Sequence, residues 1–291
     1  MELHQLTQHC YWSDPVHHGD RPSLGLIAGA ESTLAVDTGN GPGHAHWLLG
    51  QAEKLGLPPV RWAVLTHWHW DHIMGARAMQ ERDISLICTR GTQRQLRLLT
   101  EYQWDDQSLD RRVEEGIEIP FCRDAIRVEY PDQPRPLDPP LPDMVIEGPA
   151  AIDLEGVTVR LLPHPSDHSM DGLLVQCPED RVVFLGDSLY YNMYTSPWHY
   201  TPEKLMPLLV TLQGRLRGTE WYLQAHHDKP MSQGEFGEFC THLRTCCRLA
   251  EDELSLSGPA ARFAAEFGRQ PNPQETEDLL AFVRGNIVKE R

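Results

Sequence analysis

The chain has 291 residues, room for one large core or two modest ones, and a single α/β domain over residues 1–291 with appendages is the simplest expectation. Forty-two Asp and Glu against 26 Lys and Arg give a formal charge of −16; no basic stripe relieves it, so nucleic acid is excluded as an expected partner. No apolar run is long enough to cross a bilayer, and Met1-Glu2-Leu3-His4-Gln5 lacks the basic start and apolar run of a secretory signal, which points to a soluble cytoplasmic protein without a membrane partner.

In chain order, Leu24 to Ala28 and Thr33 to Val36 are short apolar runs around the polar turn Glu31-Ser32, the pattern of a β-hairpin. His44 to Leu55 has apolar residues at helical spacing and a stop at Gly56. Trp62 to Leu65 is a buried strand by length and content, and it delivers the chain to Thr66-His67-Trp68-His69-Trp70-Asp71-His72. A helix from about Asp71 to Arg82, a strand at Ile84 to Cys88 and a helix at Thr92 to Leu99 continue the β/α alternation. Between about 101 and 145 the pattern degrades into charged, partly helical stretches and the proline-dense Pro131 to Pro140, which excludes helix and central strand. This segment reads as an inserted cap, because a long excursion in a compact domain is more often functional than filler.

Strands resume at Val157 to Leu162, Gly172 to Cys177 and Arg181 to Leu185, the last two joined by a turn at Glu179-Asp180. After Trp221 to Gln224 the chain becomes helical from about 231 to 291, with helices at Ser232 to Leu254 and Pro273 to Val288. Two β-rich halves, each followed by helices, predict a four-layer α/β/β/α sandwich. The seven cysteines form an odd set without C-x-x-C spacing, which argues against a disulfide framework and a thiolate zinc ribbon.

Histidine is the unusual residue, at 15 copies, several in tight clusters. Residues i and i+2 lie on one side of an extended chain but not of a helix, so His67 and His69 grip one ion only from a loop or strand end, and the preceding strand supplies that. Adjacent residues at a helix start diverge by ~100°, so Asp71 and His72 do not easily serve one ion together and a second ion is implied. His17 and His18, which follow a proline in a polar segment, read as solvated. His164 reads as a loop residue.

The strand followed by T-H-x-H-x-D-H-x-x-G, here Thr66 to Gly75, resembles the signature of metallo-β-lactamase-fold hydrolases, and the likeness extends over most of the chain. On that resemblance His168 in Pro163 to Gly172 takes the place of the next ligand and Asp187 in Phe184-Leu185-Gly186-Asp187-Ser188 that of the carboxylate bridging two ions. Asp37-Thr38-Gly39 matches the family's early turn. The last ligand usually lies in a G-H pair; Ala225-His226-His227 departs from this, with His226 preferred and His227 second. The implied set is His67, His69, Asp71, His72, His168, Asp187 and His226, holding two divalent ions, zinc first, with iron or manganese as alternatives.

Such ions, ~3.5 to 4 Å apart, would hold a bridging water, lower its pKa towards ~7 and stabilise an oxyanion. Asp187 and Asp71 would hold this nucleophile and accept its proton. Aspartate at 187, where one class of β-lactamases has cysteine, weakens that reading; histidine at 69, where the diiron oxygen reductases have glutamate, weakens electron transfer. Tyr190 stands where lactonases of the superfamily keep a tyrosine that polarises the substrate carbonyl. The lactonase or glyoxalase II-like branch is therefore implied, acting on a lactone, ester or thioester of a small molecule, with Trp198, Tyr191, Tyr194, Trp68 and Trp70 as apolar surface for an acyl group. A phosphodiesterase, a mononuclear iron dioxygenase of the same fold and a catalytically silent metal-binding module remain as alternatives.

Overall fold

The computed structural model describes residues 1–289; Glu290 and Arg291, the end of the expected C-terminal extension, lie outside the described residues. Two sheets stand at its centre. The first runs in strand order β1 (Leu3–Gln5), β2 (Cys10–Ser13), β3 (Gly25–Ala28), β4 (Thr33–Val36), β5 (Val60–Val64), β6 (Ser85–Thr89), β7 (Met144–Ile146). It is antiparallel as far as β4 and parallel from there on. The second contains β8 (Ala150–Asp153), β9 (Thr158–Pro163), β10 (Leu173–Cys177) and β11 (Val182–Phe184) as an antiparallel series, then β12 (Trp221–Leu223) parallel to β11 and β13 (Met231–Ser232) at its edge.

The side-chain alternation of a strand decides how these sheets stack. In β4, Leu34 and Val36 face the other sheet and Ala35 faces outward. In β10, Leu173, Val175 and Cys177 face inward while Leu174 faces outward. Both faces are thus apolar, and each sheet must be covered on its outer side. Helix α1 (Pro42–Lys54) and, beyond the short α2 (Trp70–Ile73), α3 (Ala76–Gln80) cover the first, through Leu48, Leu49 and Met79. Outside the second sheet lie α7 (Pro202–Val210), α8 (Gln233–Leu249), α9 (Ser257–Phe267) and α10 (Pro273–Lys289), once α4 (Arg90–Leu99), α5 (Asp106–Glu114) and α6 (Pro120–Glu129) have been placed on the other half. The four-layer α/β/β/α sandwich expected from the sequence is the observed fold.

Three expectations are corrected. The helix expected from Asp71 to Arg82 is two helices, α2 and α3, broken at Met74-Gly75 because the Gly75 amide turns aside to donate to Gly39 O (3.0 Å). The helix expected to reach Leu254 ends at Leu249, and α9 intervenes before α10. The insertion ends before 144, since β7 pairs with β6 and belongs to the sheet. Strands β1, β2 and β8 and helix α7 are short or lack clean periodicity and were not expected.

The insertion is ordered by its own contacts. Buried Arg135 in the proline-dense stretch donates to Tyr130 O (2.8 Å), Trp104 O (2.7 Å) and Asp106 Oδ1 (2.7 Å). Trp104, Leu109, Cys122 and Ile126 then share an apolar cluster with Leu65, Trp70 and Ile73, which fastens the insertion beside the end of β5.

A Cβ on Gly75 would lie 2.0 Å from the Thr38 carbonyl oxygen and 2.9 Å from Ala45 Cβ. We expect Gly75→Ala to cost about 1–3 kcal/mol, as forced overpacking usually does, measured as a lowered urea midpoint. An unchanged midpoint would mean that this close approach does not set the α2–α3 break.

Candidate metal centre

The seven residues expected to bind metal come from five places in the chain and meet at one edge of the sandwich. His67 and His69 lie in the loop after β5, Asp71 and His72 on α2, His168 between β9 and β10, Asp187 after β11 and His226 after β12. Two contacts fasten the contributing edges together: Leu173 N donates to Thr66 O (2.8 Å), and Gly186, at φ 51°, lies so close to Thr66 that a Cβ there would be 2.6 Å from Thr66 Oγ1.

The side chains form two groups. His67, His69 and His168 make one, Asp71, His72, Asp187 and His226 the other, with the ligand atoms of each within 4.8 Å of one another. Asp187 Oδ2 lies between them, 3.9 Å from His67 Nε2 and 3.4 Å from His168 Nε2 on one side, 3.3 Å from His72 Nε2 and 3.3 Å from His226 Nε2 on the other. The expected divergence of Asp71 and His72 is not found: Asp71 Oδ2 and His72 Nε2 approach to 3.1 Å. Their Cβ atoms do point apart on α2, but a short carboxylate and a longer imidazole of unequal reach still converge on one point.

The fit to a cation rests on what these atoms lack. Nε2 of His67, His69 and His168 and Oδ1 of Asp187 are buried without a hydrogen-bond partner, which a native core seldom tolerates without an ion or water. The opposite nitrogens of His67 and His168 are engaged: His67 Nδ1 can donate to Thr66 Oγ1 (3.1 Å), and His168 Nδ1 to Tyr191 O (3.0 Å). This fixes ring orientation and leaves Nε2 free to ligate.

Burial pushes His67 and His69 well below the ordinary imidazole range, so both rings are neutral, the form that can ligate a cation. Burial opposes charge on His72 and His226 too, but there the facing carboxylates of Asp71 and Asp187 outweigh it and hold both imidazoles well above that range. Those carboxylates are held well below theirs by the same partners, again against burial. In this charge balance two imidazolium ions stand where a divalent cation would supply the positive charge.

Asp37, read from the sequence only as part of a turn, is a positioning residue. At φ 62° it leaves β4 in the left-handed region, and its carboxylate accepts from Thr66 N (2.7 Å), Thr66 Oγ1 (2.8 Å) and His72 Nδ1 (2.8 Å). Aspartate tolerates this backbone better than most residues.

Of the remaining expectations, His164 lies apart, bonded to Thr211 Oγ1 (3.2 Å). His227 belongs to neither group and lies near Gln224 and Phe239, whereas His226 Nε2 is 3.1 Å from Asp71 Oδ2. His17 overhangs the site from its loop and pairs with Asp228 (2.9 Å). Above the groups opens a cavity of about 280 Å³ whose apolar wall is Ile119, Phe121, Cys122, Met193 and Tyr194, with Tyr190 beside His168 and His226. Trp198, Tyr191 and Trp70 do not line it: Trp198 is partly exposed elsewhere, Tyr191 turns to Asp278 (2.6 Å) and Trp70 is buried in the apolar cluster beneath. The insertion residues of this wall were not expected, for nothing in their own segment carries a motif.

Residues 20–199 match the family described as the Metallo-beta-lactamase superfamily. The chain is 23% identical over 284 residues to a protein described as "Putative transcription factor avaE" from Aspergillus versicolor, covering 91% of this chain and 77% of that one. Among solved structures it is similar to a metallo-beta-lactamase from Pontibacter korlensis (TM-score 0.56, 16% identity, 82% of this chain and 97% of that one). It is also similar to one from Hirschia baltica (TM-score 0.54, 16% identity, 82% and 96%).

Removing the Asp37 carboxylate (Asp37→Ala) should lower metal affinity about 10- to 100-fold, the usual effect of losing a partner that orients a ligand; metal titration of the folded variant with unchanged affinity would refute this role. In the same titrations His226→Ala should weaken binding more than His227→Ala. Affinity in the parent protein should rise with pH, because a cation must displace protons from the raised imidazoles of His72 and His226, and a flat profile would contradict that charge balance.

Proposed function

The chain belongs to the metallo-β-lactamase superfamily, and within it we propose a hydrolase that uses two divalent ions, zinc by first choice, to cleave a lactone, ester or thioester of a small molecule. The observation that carries this reading is the pair of ligand groups sharing Asp187, with three buried imidazole nitrogens and a carboxylate oxygen left unpartnered between them. His67, His69 and His168 would hold one ion, and Asp71, His72 and His226 the other, with Asp187 reaching both. Bound there, such ions would supply Lewis acidity and a water of lowered pKa.

The chain's own residues do the rest. In this reading Asp71 and Asp187, ionised in this setting, accept hydrogen bonds from an attacking water, orient it and accept its proton. Tyr190 keeps its phenolic proton, because burial, with Asp187 adding to it, pushes this group well above its ordinary range. It can therefore donate to a carbonyl oxygen as charge develops there. The apolar wall of the cavity suits an acyl group and excludes bulk water.

A mononuclear dioxygenase has no need of the second group, and a silent module no need of a cavity opening on the ligands. The likeness to a protein described as a transcription factor suggests nucleic acid, but a formal charge of −16 and an apolar, acid-floored cavity favour a small, uncharged reacting group.

Elemental analysis of metal-loaded protein should find close to two equivalents; a single iron would favour the dioxygenase. A panel of lactones, thioesters, phosphodiesters and β-lactams should give turnover on the first two. On the best substrate Asp187→Asn should abolish most activity with the fold intact. Tyr190→Phe should lower kcat by up to on the order of 10²-fold with KM and metal content nearly constant, whereas a lowered melting point at unchanged kcat would make Tyr190 structural.

A further inference from the structure

A second cavity, of about 420 Å³, opens on the same two ligands from the other side. The first reaches His69 and His168 past the insertion; the second reaches them past Trp68, Gln95, Met170 and Asn192, with Arg94 at its rim. Tyr194 borders both and separates them. Its ring packs against Trp68 (5.1 Å) and His69 (5.0 Å), and its hydroxyl donates to Glu118 Oε1 of the insertion (3.0 Å), which holds it in place as a partition. The two cavities differ in kind. The walls of the first are apolar, whereas the second carries an amide on Gln95, another on Asn192 and a guanidinium.

Arg94 is unlike its neighbour on α4. One turn earlier, Arg90 is engaged by Glu147 (2.8 Å); Arg94 has no ion pair and no hydrogen bond among the described residues, in a chain with 42 carboxylates. Two buried aspartates also border this cavity, but their oxygens are taken: Asp167 accepts from Thr201 N and Thr201 Oγ1 (both 2.7 Å), and Asp171 from Thr92 Oγ1 (2.6 Å) and Ser169 Oγ. Arg94 is thus the one arginine or lysine bordering this space, beside two hydrogen-bonded carboxylates, and it also borders the adjoining cavity with Arg90 and Glu147.

We propose that the substrate is bipartite: an ester or thioester whose apolar acyl group lies in the insertion-side cavity and whose leaving group, bearing a carboxylate, lies in the second cavity against Arg94. This rests on the hydrolase reading above and narrows it, since a simple lactone has no separate fragment for the second space. In the thioester case the oxygen of water forms the new C–O bond and the C–S bond breaks with its electron pair on sulfur. The two protons of water end on the thiol and on the carboxylic acid product.

The test compares hexanoyl thioesters of 3-mercaptopropionic acid and of its neutral amide on the metal-loaded protein, together with calorimetric binding of the matching non-hydrolysable thioethers. The acid should be preferred by up to about fivefold in kcat/KM, through KM, the scale of one charge pair at an exposed rim. Arg94→Ala should bring that ratio near one, with Arg94→Lys retaining part of it, and the thioether acid should lose affinity in parallel. Equal rates for acid and amide, or a preference that survives Arg94→Ala, would overturn the proposal while the hydrolase reading stands. Binding of the thioether acid that depends on Arg94, without turnover of either thioester, would uphold the cavity's preference and count against the hydrolase reading instead; loss of both binding and turnover would overturn both.

Discussion

Everything at this edge of the molecule follows from the cost of burying polar atoms without partners. Five histidines and two aspartates converge where two apolar sheets end, and most of them are cut off from water. An uncompensated buried carboxylate or imidazole is strongly unfavourable, so the cluster persists only if its charges cancel and its spare nitrogens find a cation. The backbone around it is fixed to that end: Asp37 leaves the sheet in a left-handed turn to seize Thr66 and His72 together, and Gly75 and Gly186 are small because carbonyl or hydroxyl oxygens occupy the space a Cβ would need.

How much of this was legible in the sequence depended on whether the signal was local. The H-x-H-x-D-H run occupies six consecutive residues, His67 to His72, after an apolar strand, and its side chains do meet. The four-layer fold was legible because strands such as β4 and β10, buried on both faces, read as nearly continuous apolar runs, with only Thr33 and Gln176 polar. Helix ends were not, because tertiary contacts set them: Gly75 breaks a periodic segment through its bond to Gly39, which no window on residues 71–82 contains. The convergence of Asp71 and His72 was missed for a related reason, since angular position on a helix says where a side chain leaves the backbone and not how far it reaches.

The walls of the cavities were the least legible part. Ile119, Phe121 and Cys122 come from an insertion with no motif, and their role appears only once α6 is docked on the cluster around Trp70. Their composition is that of any amphipathic helix; position makes them part of a site. The same holds for Arg94, one of several arginines on the surface until its neighbours are known. Candidate ligands on α2 and on the loops after the strands, with walls on an insertion, let the first stay fixed while the second varies, which is how one scaffold serves several chemistries.

The C-terminal helices reach the cluster through His168. His168 donates to the carbonyl of Tyr191, and the Tyr191 hydroxyl donates to Asp278 on α10, which also accepts from His242 on α8 at 2.8 Å. Asp278 is buried and its partners span two helices, so the loop after Asp187 is tied to the outer layer at its second residue from Leu189. That loop carries Tyr190 and Tyr194, one beside the ligands and one between the cavities. The helices that cover the second sheet therefore do more than close its apolar face: by holding Tyr191 they set the direction of the His168 ring and the placement of both tyrosines, so that packing far from the ligands and geometry at them are parts of one constraint.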